Sequence, residues 1–261
     1  MGHLITIFTP TYNRESYLKI LYDSLKKQKI KNFQWVIVDD GSVDNTKLLI
    51  DSFIQESLFP IIYKKVVNGG KMKAINIGLD LADGEYFFIV DSDDYLTEDA
   101  TELMELYSKE LPKEFGGLVF RKHNIAGDNF PEFPKEIIDS NPVDIFYNKN
   151  IFGDKAEVFK TEILNRFRFP EISGEKFIPE GLIWNRIGKE YNLRYINKAI
   201  YNFEYIEGGY TKGFKEVMKK NPKGFALYYK EMLGYDIPLV NKLKFFVRYI
   251  QSLIYIFMKK N

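Results

Sequence analysis

Short apolar runs that stop abruptly at polar residues alternate with amphipathic segments over the first 120 residues. The runs are rich in β-branched and aromatic residues, which predicts strands at 4–8, 35–38, 61–63 and 86–90. Segments 14–28 and 72–81 repeat apolar residues at helical spacing. Continuous apolar strands separated by helices predict an α/β fold with a mostly parallel, Rossmann-like sheet flanked by helices.

Polar clusters follow the first, second and fourth of these runs. They are Thr9-Pro10-Thr11-Tyr12-Asn13, Asp39-Asp40-Gly41-Ser42 and Asp91-Ser92-Asp93-Asp94. The carboxyl ends of parallel strands lie at one edge of a sheet, and open α/β sheets bind their ligands there. We therefore expect the three clusters to converge on one binding site.

Each cluster also has a purely structural interpretation. Asp91 and Asp93 leave an extended backbone on the same side, so both carboxylates can face one Mg²⁺ or Mn²⁺ ion. Equally, acidic residues are common at helix starts, and a helix is predicted from about Thr97. Asp39 follows four apolar residues, where it either binds a ligand or caps a turn. Tyr12 either belongs to a turn or offers an aromatic face to a nucleobase.

Together these clusters resemble the motifs of the family 2 glycosyltransferases, which are inverting enzymes of the GT-A fold. Two further motifs extend the resemblance: Asn68-Gly69-Gly70-Lys71 with Ala74 and Asn76, and Ala82-Asp83-Gly84-Glu85-Tyr86 before the third cluster. The motifs occur in the family's order from residue 4 to about residue 120. With the last motif and the third cluster counted as one, four ordered motifs are far more specific than any one of them.

The resemblance implies where this chain holds a nucleotide sugar. The implied contacts are Pro10, Tyr12, Asn13, Asp39, Asp40, Lys71, Asp91 and Ser92. Asp91 and Asp93 match the family's Asp-x-Asp motif, which holds the ribose and a divalent ion, Mn²⁺ or Mg²⁺, that bridges the diphosphate. Asp94 is a substitute for either of them. Ile75 stands where other members have an arginine, so that phosphate contact is missing here.

The resemblance also implies a catalytic base in the second half of the chain. Many members have a Glu-Asp pair, with an aromatic residue four positions and an arginine six positions after the Asp. Trp184 and Arg186 have this spacing from Glu180, which is therefore the predicted base, although Pro179 replaces the preceding acid. The alternatives are that Glu180 only begins a helix, or that the nearby Glu175 is the base.

The chain is expected to have three parts. Residues 1–120 form the nucleotide-sugar-binding part, 121–213 the acceptor-binding part, and 214–261 a C-terminal helical extension. Within the second part we expect a loop or flap at 122–150, a strand at 157–160, a helix at 182–191 and a strand at 195–205. Aromatic residues of the segment 201–211 either frame an acceptor pocket or pack in the core.

The C-terminal segment 237–260 predicts a helix with one broad apolar face. From Ile237 to Asn261 there are no acidic residues, and the basic residues are Lys242, Lys244, Arg248, Lys259 and Lys260. The face is expected either to contact a membrane surface or to pack against the same chain or a second copy in a homodimer. Polar residues interrupt the apolar run, so the helix is not expected to span the bilayer.

Composition excludes several classes of site. The net charge of +1 gives no overall basic field for nucleic acid, and the absence of cysteine excludes disulfides and thiolate chemistry. The chain has no recognisable leader peptide and no run long enough to span a bilayer. We therefore expect the protein in the cytoplasm, at the inner face of the plasma membrane if its last helix contacts lipid.

The sequence therefore predicts a metal-dependent inverting glycosyltransferase. It would move a sugar from a UDP-sugar or another nucleotide sugar to a saccharide or lipid-linked saccharide, in cell-surface polysaccharide synthesis. Two alternatives remain at this point. A nucleotidyltransferase also pairs acids with a Rossmann-like fold, but it usually carries a glycine-rich basic loop after the first strand. A non-catalytic carbohydrate-binding or scaffold protein would keep the fold without the chemistry.

Overall fold

The computed structural model describes residues 2–127, 132–204 and 213–260, and its first half alternates strands and helices as predicted. The strands are β1 (Ile5–Thr11), β2 (Phe33–Asp39), β3 (Ile61–Lys65) and β4 (Tyr86–Ile89). The helices between them are α1 (Glu15–Lys26), α2 (Thr46–Glu56) and α3 (Lys71–Leu81). All four strands are parallel, in the order β3-β2-β1-β4, which confirms the predicted parallel sheet.

The second half extends this sheet with mixed strand directions. Its elements are β5 (Tyr95–Leu96), α4 (Ala100–Lys109), β6 (Gly117–Asn124), β7 (Ile137–Ser140), a π-helical turn (Asp144–Asn148), β8 (Lys155–Lys160), α5 (Thr161–Arg166), α6 (Gly181–Ile187) and β9 (Leu193–Phe203). Strand β8 lies antiparallel between β4 and β6, and β9 runs parallel to β6. The strand order is β3-β2-β1-β4-β8-β6-β9-β5, with β7 also paired to β9.

The prediction of a loop over 122–150 is wrong in part. Strand β6 continues to Asn124, and β7 pairs antiparallel with the start of β9. Pro134 and Pro142 flank β7 rather than interrupt it, so neither removes a hydrogen bond from the ladder. Residues 128–131 lie outside the described part of the chain.

Both faces of the sheet are buried, which explains why its strands are apolar without alternation. Ile7, Trp35 and Phe88 pack on one face, in the layer that contains α1 and α2. Phe8 and Phe87 stack at 5.2 Å on the other face, in the layer of α3 and α6. The polar ends of β1, β2 and β4 are thereby fixed at one edge of a covered sheet.

Three helices end the described chain: α7 (Phe214–Lys220), α8 (Pro222–Met232) and α9 (Leu239–Lys260). The predicted C-terminal extension is helical, and one face of the 22-residue α9 packs on α7 and α8. Phe245 and Tyr249 of α9 join a cluster that contains Phe225 and Tyr229 of α8. Of the helices in the described ranges, none is both long and apolar enough to cross a membrane.

Candidate active site

The loops that follow β1 and β2 are joined to each other by Asn13. Its backbone N–H donates to Oγ of Ser42 at 2.9 Å, and its Oδ1 accepts the N–H of Val43 at 2.8 Å. Asn13 has a φ of 51°, a left-handed conformation that asparagine adopts more readily than most residues. The first two polar clusters therefore form one continuous rim, as their positions after neighbouring strands predict.

Asp39 is fully buried and faces the interior of this rim. Its Oδ1 accepts the N–H of Ser42 at 2.7 Å, and its Oδ2 accepts the hydroxyl of Tyr63 at 2.7 Å. Burial, and then the Asp39 carboxylate, raises the pKa of Tyr63, so this hydroxyl stays protonated and donates. Asp39 holds the turn after β2, and its implied contact with a nucleotide sugar stays a prediction.

Asp40 fixes the loop that leads into α3. Its two carboxylate oxygens accept the N–H groups of Gly69 and Gly70 at 2.6 and 2.8 Å. Gly70 has a φ of 93°, and a Cβ at this position would overlap the carbonyl oxygen of Lys176. Only glycine fits such a turn without strain. The Asn68-Gly69-Gly70-Lys71 motif therefore serves to bring Lys71 to the edge of the sheet.

Pro10 and Tyr12 lie on the same rim, with different exposure. Pro10 is partly buried and pairs in register with Val38. The side chain of Tyr12 is 49% exposed, so its ring is available for a planar ligand to stack on. Ser92, by contrast, is buried within the third cluster.

Lys71 lies at the centre of the site, between two carboxylates from distant parts of the chain. Its Nζ is 2.6 Å from Oδ1 of Asp91 and 2.9 Å from Oε1 of Glu180. Burial alone would lower the pKa of Lys71, but these two carboxylates outweigh it and raise the pKa above the usual lysine value. Lys71 therefore stays charged, and it joins the predicted donor site to the predicted base.

The other acids of the third cluster have separate partners. Oδ2 of Asp93 is 3.7 Å from a guanidinium nitrogen of Arg14. The Tyr201 hydroxyl donates to Oδ2 of Asp94 at 2.6 Å and accepts the N–H of Asp91 at 3.0 Å. Burial, and then repulsion from Asp91, raises the pKa of Asp94 to about 7. Asp94 is therefore bonded to Tyr201, and its substitution for Asp91 or Asp93 stays a prediction.

Asp91 and Asp93 of this cluster could hold a divalent ion that takes only one or two ligands from the protein. Across the described ranges no group of three or more acidic, histidine or cysteine side chains is arranged to hold a metal. Mg²⁺ and similar ions commonly bind one or two carboxylates and complete their shell with phosphate oxygens and water. Asp93, whose side chain is 26% exposed, and Asp91 supply such a pair of oxygen donors.

Glu180 lies at the beginning of α6 and turns away from the helix backbone. Its side chain makes no capping hydrogen bond and contacts Lys71 instead, which argues against a role only at the helix start. Glu175, the competing acid, accepts the N–H groups of Lys223 and Gly224 at the start of α8, at 2.7 and 2.6 Å. Glu175 is therefore engaged in capping a helix.

Trp184 and Arg186, whose spacing was used to locate Glu180, both hold α6 against its neighbours. Trp184 packs between Phe159 and Phe169, with ring centroids 4.6 and 5.9 Å away. Arg186 forms a two-bond ion pair with Glu231 of α8, at 2.6 and 3.0 Å. Their spacing thus reflects how α6 packs on its neighbours, and this packing presents Glu180 to the site.

A cavity of about 400 Å³ opens beside Lys71 and Glu180. Its wall is part polar and part aromatic, and includes Lys71, Asp91, Lys122, Tyr147, Lys155, Glu157, Glu180, Trp184, Tyr195 and Tyr228. Tyr201, from the predicted acceptor segment, lies behind Asp91 and Asp94 rather than in this wall. Residues 205–212 of that segment lie outside the described residues.

Sequence reasoning missed three charged residues of this wall, Lys122, Lys155 and Glu157. Lys122 of β6 sits over the ring of Tyr201, 3.9 Å from its centroid. Burial raises the pKa of Glu157 on β8 to about 7, with Glu180 adding to the effect and Lys122 and Lys155 opposing it. The available signal was a glutamate between the buried Ala156 and Val158, because isolated acids are rarely placed inside strands without a partner.

Comparisons with known proteins identify the family of this chain. The family model described as glycosyl transferase family 2 matches residues 6–169. Glycosyltransferase GlyG of Streptococcus pneumoniae is 26% identical over 94% of this chain and 88% of its own length. A Campylobacter jejuni enzyme named GalNAc(5)-diNAcBac-PP-undecaprenol beta-1,3-glucosyltransferase is 28% identical over 75% of this chain and 62% of its own.

The fold has a solved counterpart as well. Staphylococcus aureus TarS, residues 1–349 in complex with UDP-GlcNAc, superposes with a TM-score of 0.72 at 23% identity, over 95% of this chain and 72% of that one. Its fold is the GT-A arrangement predicted here. On the family match, the curated relatives and this fold, the chain belongs to glycosyltransferase family 2 and is a bacterial glycosyltransferase of cell-surface polysaccharide synthesis.

Proposed function

We propose that this enzyme transfers a sugar from a UDP-sugar to a hydroxyl of a saccharide or lipid-linked saccharide, with inversion at the anomeric carbon. The observation that carries the proposal is the position of Lys71, within 2.9 Å of both Asp91 and Glu180. It unites the motif that resembles a donor site with the predicted base. The two acids then face a single reaction centre at the edge of the sheet.

The nucleotide is proposed to lie along the rim formed by the first two clusters. Tyr12 stacks on the base, while Pro10 and Asp40 border it and Asn13 shapes the turn. Lys71 supplies positive charge for the diphosphate, and Arg14 adds a second cation 3.7 Å from Asp93. The UDP-GlcNAc complex of TarS, a neighbour of the same fold, supports UDP as the carrier.

A divalent ion, Mn²⁺ or Mg²⁺, is proposed to be held by Asp91 and Asp93. When bound, it would neutralise charge on the diphosphate leaving group. The positive charge of Lys71 would act on the same diphosphate, while its contact with Glu180 holds that carboxylate beside the acceptor.

Glu180 is proposed as the general base. The acceptor oxygen forms a bond to the anomeric carbon, and its proton passes to the carboxylate of Glu180. The bond from that carbon to the diphosphate oxygen breaks, and the nucleoside diphosphate leaves with the electron pair. One displacement from the opposite face inverts the configuration.

The acceptor is proposed to occupy the 400 Å³ cavity beside Glu180. Aromatic side chains such as Tyr147 and Tyr228 suit the apolar faces of a sugar ring, while Lys122 and Glu157 offer hydrogen bonds. The Campylobacter relative carries a lipid-linked saccharide in its name, which supports the same class of acceptor here.

The base is tested with Glu180→Gln, which keeps the shape and removes the proton acceptor. Release of UDP from the donor in the presence of acceptor should fall about 10²–10⁴-fold, while UDP affinity stays within a few-fold. Glu175→Gln is the control and should retain transfer, because Glu175 caps α8. Wild-type turnover by the Glu180 variant would show that the base lies elsewhere.

The metal is tested by thermal shift. UDP at a hundred times its dissociation constant should raise the free energy of unfolding by about 2.7 kcal/mol with Mn²⁺ present. The gain should be much smaller in EDTA. Asp93→Ala should remove the difference between the two conditions. If the variant binds UDP as tightly as the wild type in Mn²⁺, Asp93 is not a metal ligand.

A further inference from the structure

Helix α9 exposes a continuous apolar stripe along its outer face. Ten of the 21 large hydrophobic side chains that the described residues expose lie on this one helix. They recur every three or four residues, and they are Leu239, Val240, Leu243, Phe246, Val247, Ile250, Leu253, Ile254, Phe257 and Met258. Single exposed apolar residues are ordinary, but a contiguous stripe of this length indicates an interaction surface.

The opposite face of α9 holds the helix in a fixed orientation. Phe245 stacks on Tyr229 of α8 with ring centroids 5.8 Å apart, and Ser252 is fully buried. Arg248 lies on the ring of Phe214, 5.2 Å from its centroid. Because one face is packed on α7 and α8, the apolar stripe cannot fold back onto its own domain, and it points outward.

The positive charges beside the apolar stripe favour a negatively charged partner. Lys242 and Lys244 flank the apolar stripe, and the segment 237–261 contains five basic and no acidic residues. A homodimer through this face would bring two such segments together with no carboxylate of either to neutralise them. An anionic lipid surface supplies both an apolar interior for the stripe and negative headgroups for the lysines.

We propose that α9 docks the enzyme on an anionic membrane, with the apolar stripe among the acyl chains and the helix axis in the plane of the surface. Lys242 and Lys244 then lie at headgroup level, where each strengthens binding about fivefold. The helix does not cross the bilayer, since no described helix has the apolar length for it.

Docking through α9 would bring the acceptor cavity close to the membrane surface, an inference that rests on the proposed function. Phe245, on the inner face of α9, contacts Tyr147 and Tyr228 with ring centroids 5.7 and 6.2 Å apart. Those two tyrosines line the cavity beside Glu180. One layer of aromatic rings therefore separates the docked helix from the acceptor cavity. This arrangement suits an acceptor saccharide whose lipid remains in the membrane.

The test is co-sedimentation of the full chain with vesicles of phosphatidylglycerol and phosphatidylcholine. The wild type should bind these vesicles at low salt and bind pure phosphatidylcholine at least tenfold more weakly. Phe246→Ser/Leu253→Ser/Phe257→Ser should lower binding to the anionic vesicles at least tenfold. Ile20→Ser/Leu48→Ser/Leu106→Ser, which changes exposed apolar residues of α1, α2 and α4, is the matched control and should bind like the wild type.

Two results would overturn the proposal. One is a full chain that ignores anionic vesicles at low salt. The other is a dimer in sedimentation equilibrium that the α9 triple variant dissociates, with no vesicle binding, which would assign the stripe to a second copy. UDP binding is measured on all variants. Vesicle binding without UDP binding would refute the proposed function and leave membrane docking standing, so the two failures are distinguishable.

Discussion

Single side chains at the edge of the sheet connect parts of the molecule that the sequence leaves far apart. Asp40 bonds to the loop before α3, and Lys71, which follows that loop, reaches both Asp91 and Glu180. Each contact places a charge in a partly buried position, where losing a partner costs more than at the surface. The site is therefore also a source of stability, and this can be measured residue by residue.

Asp40→Asn tests whether the carboxylate holds the glycine loop. An amide has one acceptor oxygen and would turn its NH₂ group toward one of the two N–H donors, leaving that donor unsatisfied. We expect the free energy of unfolding to fall by about 1–3 kcal/mol in urea denaturation. Asp51→Asn, which breaks only an exposed pair with Lys47, is the control and should cost about 0.5 kcal/mol or less. Equal losses would contradict the role given to Asp40.

Glu157→Gln tests the acid in the cavity wall through pH. In the folded protein its pKa is raised to about 7 by burial, whereas in the unfolded chain it is about 4.3. Between these values the folded state binds more protons, so stability should fall as the pH rises through this window. Glutamine has no proton to lose.

The free energy of unfolding of the variant should therefore match that of the wild type near pH 4.5 and exceed it at pH 8 by on the order of 3 kcal/mol. Thermal unfolding across this pH range measures the difference. The exposed Glu114→Gln should show no such trend. A constant difference between the wild type and Glu157→Gln at all pH values would mean that Glu157 does not titrate in this window.

Among the elements, the strands buried on both faces of the sheet, β1 to β4, could be predicted from the sequence. Strand β7, which forms by pairing with a distant segment, could not. Strands β1 to β4 end within a few residues of their predicted ends, because each buried apolar run stops at polar residues, which are carboxylates after β2 and β4. Strand β7 was missed because its pairing with β9 is set by register, which a segment of four residues does not encode locally. Likewise, Lys122 and Glu157 line one cavity only because β6 and β8 are neighbours.

The loop between β3 and α3 offers a test at this scale. Gly70 and Gly174 both have a positive φ, of 93° and 79°, but only Gly70 lacks room for a Cβ. Gly174→Ala should cost about 1–2 kcal/mol from backbone strain alone. Gly70→Ala should cost clearly more, because it must also displace the carbonyl of Lys176. It should also weaken UDP binding by moving Lys71. If urea denaturation gives equal losses in the free energy of unfolding for the two variants, the loop before α3 must rearrange to accommodate the new Cβ.

At the scale of the whole molecule, one face of the C-terminal helix α9 packs on α7 and α8, and the other exposes the apolar stripe. Its helical period was visible in the sequence, but the side on which it docks was not. Phe245 and Phe246 are equally apolar, and only the tyrosines of α8 and of the π-helical turn decide which is covered. The aromatic inner face of this C-terminal extension completes the packing of α7 and α8, which is one of the alternatives that the sequence left open.

Phe245→Ala tests the inner face of α9, and Phe246→Ala tests its outer face. Phe245 lies among Tyr147, Tyr228 and Tyr229, so its loss should lower the free energy of unfolding by about 2–4 kcal/mol. It should also raise the KM for acceptor, because two of those tyrosines line the cavity. Phe246 is 50% exposed, and its removal should change stability by about 0.5 kcal/mol while weakening vesicle binding. Urea denaturation and co-sedimentation of both variants measure the contrast, and the same response from the two would mean that α9 is not held as described.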